Sequence, residues 1–256
     1  MLQKSSPQID VYDAVSFTSL GSIVIPRASY SRNFVDMVAC SFYHCLYIAD
    51  AGNPNNKCHK CVIRLEIPSK HTEWQLEDID SVTAISVTSS HHVLVLCGGI
   101  KLFNTIGVLH KTVELPPDLV SVSCAVELTP GQYVVTHGRG SDALHRVCVV
   151  NGEGKVLRTF GGLRGSYNKL LNSPSDVAVD NDGYVYVDDE KNNRLVMLTQ
   201  NLGYIHCIPG VFTGSSSGRR RRMKVDKELR RIYVVHHTIV DPWNKIHQIT
   251  LSVFKI

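Results

Sequence analysis

Residues Ser175–Leu198 read SDVAVDNDGYVYVDDEKNNRLVML. The phrase is an apolar strand, an Asp-Gly turn, a second apolar strand ending in acid, a polar loop and a third strand. Asp-Gly supplies the positive φ that a tight hairpin needs, and apolar alternation over short runs argues strands rather than helices. Weaker copies lie around Val35–Leu65, Val82–Phe103, Val122–Val150 and Arg221–Leu251. Aligning their second strands on Tyr47, Val95, Val134, Tyr186 and Tyr233 gives spacings of roughly 39 to 52 residues, the period of propeller blades.

The clearest copy parses into four strands, Asp176–Asp180, Tyr184–Asp188, Arg194–Thr199 and Tyr204–Ile208. The copy before it parses as Val122–Glu127, Gln132–Thr136, His145–Val150 and Lys155–Phe160. Small or β-branched residues suit the crowded first strands of such sheets, as in Val177-Ala178-Val179 and Cys124-Ala125-Val126. An amino-terminal pair, Ile9–Tyr12 and Phe17–Ile25, reads as the outer two strands of one more blade. The expectation is therefore a single all-β propeller over 1–256 with six four-stranded blades. Residues 1–33 would form an incomplete first blade and 34–256 the other five. Either the strand Ile246–Ile256 helps complete the ring, or residues upstream of Met1 do.

Composition bounds the function. Of 256 residues, 43% are hydrophobic and 20% charged, ordinary for a globular protein. No run approaches the ~20 apolar residues of a membrane span, and MLQKSSPQIDVYD lacks the apolar core of a secretory signal. The expected location is cytoplasmic, with no membrane partner. A net charge of +4 is weaker than a dedicated nucleic-acid binder carries. Eight cysteines are too few for a disulfide framework in a chain this long. Cys40 and Cys45, then Cys58 and Cys61, have metal-ligand spacing, but a five-residue strand would hold the two pairs about 16 Å apart. No metal or other cofactor is expected. A Cys40–Cys45 disulfide in an oxidising compartment and free thiols both stay open.

Pro174 to Asp180, then Asp182-Gly183-Tyr184-Val185-Tyr186-Val187-Asp188-Asp189, then Asn193-Arg194-Leu195 resemble an NHL repeat. Its usual form is proline, an apolar-Ala-Val-Asp strand, a Gly turn, YVAD, and Asn/His-Arg. Leu46–Asp50 (LYIAD), His145-Arg146-Val147 and the Gly161-Gly162 spacer repeat parts of it. Val82–Phe103 departs by lacking both turn Gly and acidic strand end, and the last copy has His236-His237 in place of acid. The resemblance implies a propeller that binds proteins or single-stranded RNA, often behind RING, B-box and coiled-coil segments in TRIM-type ubiquitin ligases. This chain contains none of those segments, so ligase chemistry is not expected of it. A minority of similar propellers are metal-dependent lyases.

In a propeller, loops from second to third strands and loops between blades share one face. That face is expected to collect Arg139, Arg164, Lys169, Lys191, Arg194 and the run Arg219, Arg220, Arg221, Arg222. Arg27, Arg32, Lys57 and Lys60 would join them, diluted by Asp50, Asp142, Asp189 and Glu190. Tyr30, Tyr167 and Trp243 offer stacking surfaces. The leading expectation is a non-enzymatic scaffold docking a protein partner on this face. Single-stranded RNA bound through Arg219–Arg222 is the second, its affinity falling steeply with salt. A metal-dependent lyase or hydrolase is the third, using His137, His236 and His237 at second-strand ends. Asp50 and Asp189 occupy that position in other copies, where they are expected to accept loop N–H bonds or pair with Arg194.

Overall fold

The computed structural model describes residues 8–25, 33–52, 59–66, 70–167, 169–210, 220–226, 230–241 and 246–255. The chain divides into two compact units, Met1–Glu114 and Leu115–Ile256. Apart from a single-turn 3-10 helix at Glu190–Asn192, the regular elements among the described residues are strands.

In the first unit, β1 (Gln8–Tyr12) and β2 (Ser19–Val24) form a hairpin. The first blade follows as β3 (Phe34–Cys40), β4 (Cys45–Asp50), β5 (Cys61–Glu66) and β6 (Lys70–Gln75). The second is β7 (Ala84–Val87), β8 (Val93–Cys97), β9 (Gly99–Phe103) and β10 (Leu109–Val113). Both are antiparallel meanders. Two-residue alternation buries both faces of the first blade. Tyr47 and Ala49 pack in one cluster with Ile85, Val95 and Phe103 of the second blade. Ile48 and Ile63 pack on the other side with Ile9 and Ile25. Burying each such side chain is worth about 1.5–3 kcal/mol.

Among its described residues the second unit holds three sheets. The third blade is β11 (Cys124–Thr129), β12 (Gln132–His137), β13 (Leu144–Asn151) and β14 (Val156–Leu163). The fourth is β15 (Pro174–Val179), β16 (Val185–Asp189), β17 (Arg194–Leu198) and β18 (Tyr204–Pro209). The last has, among the described residues, three strands, β19 (Arg220–Asp226), β20 (Arg231–Asp241) and β21 (Ile246–Lys255). Tyr186, Leu195 and Ala178 of the fourth blade share a core with Met223, Ile232 and Val234 of the last.

The six-bladed expectation is corrected: among the described residues there are five blade sheets. The amino-terminal pair joins none of them but forms its own two-stranded sheet, and Phe17 sits in its turn at φ 58°. Its role is to cover the first blade through Ile9 and Ile25. The carboxyl-terminal strand pairs with β20, not with that hairpin.

Turns between strands recur in one chemistry. Asp180 Oδ1 accepts the N–H groups of Asp182 and Tyr184. Asn104 and Asn151 do the same for residues two and four places on. A short side-chain acceptor thus replaces the backbone partner that a tight turn lacks. No helix among the described residues is long and apolar enough to cross a membrane.

Candidate functional site

The expected site is best described in the second unit, where three loops meet at one end of the sheets. They are 138–143 between β12 and β13, 164–173 between β14 and β15, and 190–193 between β16 and β17. Asp189, the last residue of β16, is fully buried and holds this end together. It accepts hydrogen bonds from Asn172 N–H, Asn192 Nδ2 and Arg194 Nε, all at 2.7 Å. Burial pushes its carboxyl above the ordinary range, and those donors and the Arg194 charge pull the other way. Arg194 extends the brace by donating from Nη1 to Ser166 O at 3.0 Å and from Nη2 to Leu170 O at 2.6 Å. Asn192 Nδ2 also reaches Gly165 O. The loop 164–173 is thereby strapped to the end of the fourth blade.

The 138–143 loop is fastened from the other side. Ser173 N–H donates to His145 Nδ1 at 2.7 Å, which leaves Nε2 of that ring to donate to Asp142 O. Arg164 Nη1 donates to Gly140 O at 3.0 Å, and Gly140 N–H donates to Ser173 Oγ. Gly138 has φ +92° and a Cβ there would meet Leu144 O at 2.0 Å, so no side chain fits. His137 is buried beside it, accepting Arg146 Nε–H at Nε2, 3.0 Å. Burial, then the Arg146 charge, pushes its pKa down to about 4. Arg146 is also paired with Asp118 at 2.6 Å.

Around this rigid frame, Arg139, Arg164, Lys169 and Lys191 are exposed. Tyr167, 82% exposed, and Leu163, 68% exposed, are the large apolar groups among them. Arg194 belongs to the brace rather than to the free surface. The other predicted residues fall elsewhere. Arg220, Arg221 and Arg222 stand in β19 opposite His237, His236 and Val235, so these three are strand and not loop. His236 and His237 lie in the interior of β20 rather than at its end. Arg219, Trp243, Arg27, Arg32, Tyr30 and Lys57 lie outside the described residues.

Asp50 repeats the role of Asp189 in the first unit, accepting the N–H groups of Asn33 and Gly52. The second blade has neither acid nor loop at this place. Cys97 faces Gly99 directly, with Gly98 at φ +85° between them. The missing acid noted in Val82–Phe103 follows from there being no loop for it to hold.

The described cysteines of the two pairs, Cys40 with Cys45 and then Cys61, stand at opposite ends of β4. Cys40 faces Cys45 at the hairpin end as free thiols, while Cys61 faces Asp50 at the other. Cys58 lies outside the described residues. Among the described residues, no three His, Cys, Asp or Glu side chains gather as metal ligands would.

Two features escaped sequence reasoning. Asp36 and Asp176 are buried on first strands and accept N–H groups of the next blade's first strand. Their signal was available, since both stand two residues before the partner of the repeat tyrosine, Tyr47 or Tyr186. The second is an aromatic cluster in the first unit. Phe42, 62% exposed, stacks on His91 at 4.0 Å with Tyr43 edge-on at 4.8 Å. Turn positions ordinarily carry polar residues, and SFYH at 41–44 breaks that pattern.

No protein-family model matches the sequence, and no curated protein matches it. Solved structures do resemble it. A protein of unknown function from Bacteroides caccae is 10% identical, with a TM-score of 0.68 over 98% of this chain and 87% of that one. Virginiamycin B lyase from Staphylococcus aureus is 18% identical, with a TM-score of 0.55 over 87% and 70%. The WD40 beta propeller domain of Doa1 is 11% identical, with a TM-score of 0.60 over 99% and 77%. At such identities the likeness speaks to architecture alone. The chain has the β-propeller fold, with five blades among the described residues.

Proposed function

We propose that this chain is an NHL-type interaction scaffold whose braced loop end in the second unit docks a protein partner. The observation that carries the reading is the pairing of rigidity with exposure. The loop 164–173 is held by Arg194 and Asn192, yet it presents Tyr167 to solvent beside Leu163 and four cations. A pre-ordered loop loses little entropy on binding, and an exposed tyrosine is a common interface anchor. His145 has both ring nitrogens engaged and His137 has Nε2 engaged, which favours an interaction role over metal-dependent chemistry at these histidines.

The test is cross-linked affinity capture with the wild type and with Tyr167→Ala/Leu163→Ser. Calorimetry on each captured protein, once purified, follows. One protein should bind the wild type directly and lose about tenfold or more in the variant. Identical capture by both chains would overturn the reading. Capture abolished by ribonuclease, with binding that falls steeply with salt, would replace it with single-stranded RNA.

A further inference from the structure

Cys40 ends β3, Cys45 begins β4, and the two face each other across the hairpin. Directly opposed residues of an antiparallel pair have Cα atoms about 4.5 or 5.5 Å apart, and a disulfide spans roughly 4.4–6.8 Å between Cα atoms. Either kind of pair can therefore be bridged without a change of register. The Cβ atoms, about 4.5–5.5 Å apart in such a pair, need close by only about 1 Å to suit the bond. Both thiols are free and buried, in one cluster with Tyr47. Among the described cysteines no other two are directly opposed.

Beside the pair are two buried donors with nothing to donate to. The Tyr47 hydroxyl and the Arg64 Nε–H are both buried and both without a hydrogen-bond partner. Tyr47 follows Cys45 by two residues and so shares its face, and Arg64 stands opposite Tyr47 on β5. The Cys45 sulfur interacts electrostatically with both, and Cys40 with the Tyr47 hydroxyl. Glu66, opposite Cys45, takes the other end of the guanidinium, Nη1, at 2.6 Å. An unsatisfied buried donor is costly. A thiolate at Cys45 would supply the acceptor that both lack, and the thiolate rather than the thiol is the nucleophile.

We infer that Cys45 and Cys40 form a peroxide-responsive dithiol, in which Cys45 attacks and Cys40 resolves. The Cys45 thiolate attacks one oxygen of hydrogen peroxide, the O–O bond breaks, and the departing hydroxide takes up the former thiol proton as water. Cys45 is left as a sulfenic acid. The Cys40 sulfur then attacks the Cys45 sulfur, the S–O bond breaks, and a second water leaves with the Cys40 proton. Two thiols are oxidised to one disulfide, and one peroxide is reduced to two waters. The site lies in the first unit and does not depend on what docks on the second.

The test is treatment of the full chain with hydrogen peroxide, alkylation of the remaining thiols, and peptide mass mapping without reductant. A Cys40–Cys45 disulfide should form before any other cysteine is oxidised, and dithiothreitol should reverse it. Cys40→Ser should trap Cys45 as a sulfenic acid that dimedone labels, whereas Cys45→Ser should leave Cys40 unlabelled. Tyr47→Phe removes only an unpartnered hydroxyl, so the fold should stand. Its oxidation should slow about tenfold, as loss of a bond to a charged acceptor predicts. Arg64→Gln should slow it likewise. Cys40 and Cys45 thiols that outlast free cysteine in the same peroxide, dimedone on Cys40, or rates unchanged in both variants would each overturn the assignment.

Discussion

Asp176 Oδ2 accepts the backbone N–H of Met223 at 2.6 Å, tying the first strand of the fourth blade to the first strand of the last. In the other unit Asp36 Oδ2 does the same for Ile85 N–H at 3.0 Å. In each carboxylate the second oxygen accepts the N–H of the following residue, Val177 or Met37. The third blade places Cys124 at this position, and its thiol donates to Val177 O at 3.8 Å. One place in the repeat thus serves as the link between neighbouring sheets, as acceptor twice and as weak donor once.

Replacing Asp176 by alanine strands a buried N–H in the last blade. The expected cost is about 3 kcal/mol, because an unsatisfied buried donor loses its full hydration. Asp176→Asn keeps one acceptor and should cost roughly half as much. Asp36→Ala should behave alike in the first unit. Urea unfolding curves measure all three, and a change below about 0.5 kcal/mol for both alanine variants would show that the links are incidental.

Arg194→Ala removes a guanidinium that is 13% exposed from a carboxylate that is fully buried. Leaving one member of such a pair costs about 3 kcal/mol. The loss should also be local: amides of 165–171 should exchange faster while those of β16 and β17 stay protected. Arg194→Lys should not rescue the loop, since a single ammonium cannot serve Asp189, Ser166 O and Leu170 O together. Hydrogen exchange that is unchanged at 165–171 would show that the strap is not what orders the loop.

His137 makes stability depend on pH in a definite direction. Its folded pKa is about 4, against about 6.5 in an unfolded chain. Unfolding takes up a proton between those values, so the neutral ring's contribution is complete above about pH 6.5 and is lost as pH falls toward 4. The full swing is about 3 kcal/mol. His137→Asn cannot titrate, and its stability should fall less steeply over that window. The slope is the readout, because the variant also loses the Arg146 bond and starts lower. Parallel slopes would mean that the imidazole is protonated in the folded protein.

Local chemistry was legible wherever a residue's partner lay within its own copy of the repeat. The four strands of the fourth blade stand within a few residues of their expected bounds, and Asp189 pairs with Arg194 as the motif suggests. Sheet membership was not legible. Ile9 and Ile25 read as outer-strand residues because alternation marks a strand without naming its neighbour, and their packing on Ile48 and Ile63 is set by tertiary burial. The arginine run misled for a similar reason: charge suggested a loop, while pairing with β20 made Arg220–Arg222 a strand. Nothing in the spacing of the loop cations distinguished exposed Lys191 from Arg194, which is committed to Asp189.

The links made by Asp36 and Asp176 reach forward along the chain, across 49 and 47 residues. A ribosome delivers the carboxylate first and its N–H partner only after another blade's worth of translation. Each nascent sheet therefore gains this link only after its successor emerges. Synthesis pauses or truncations within those intervals should yield species held by chaperones rather than settled blades.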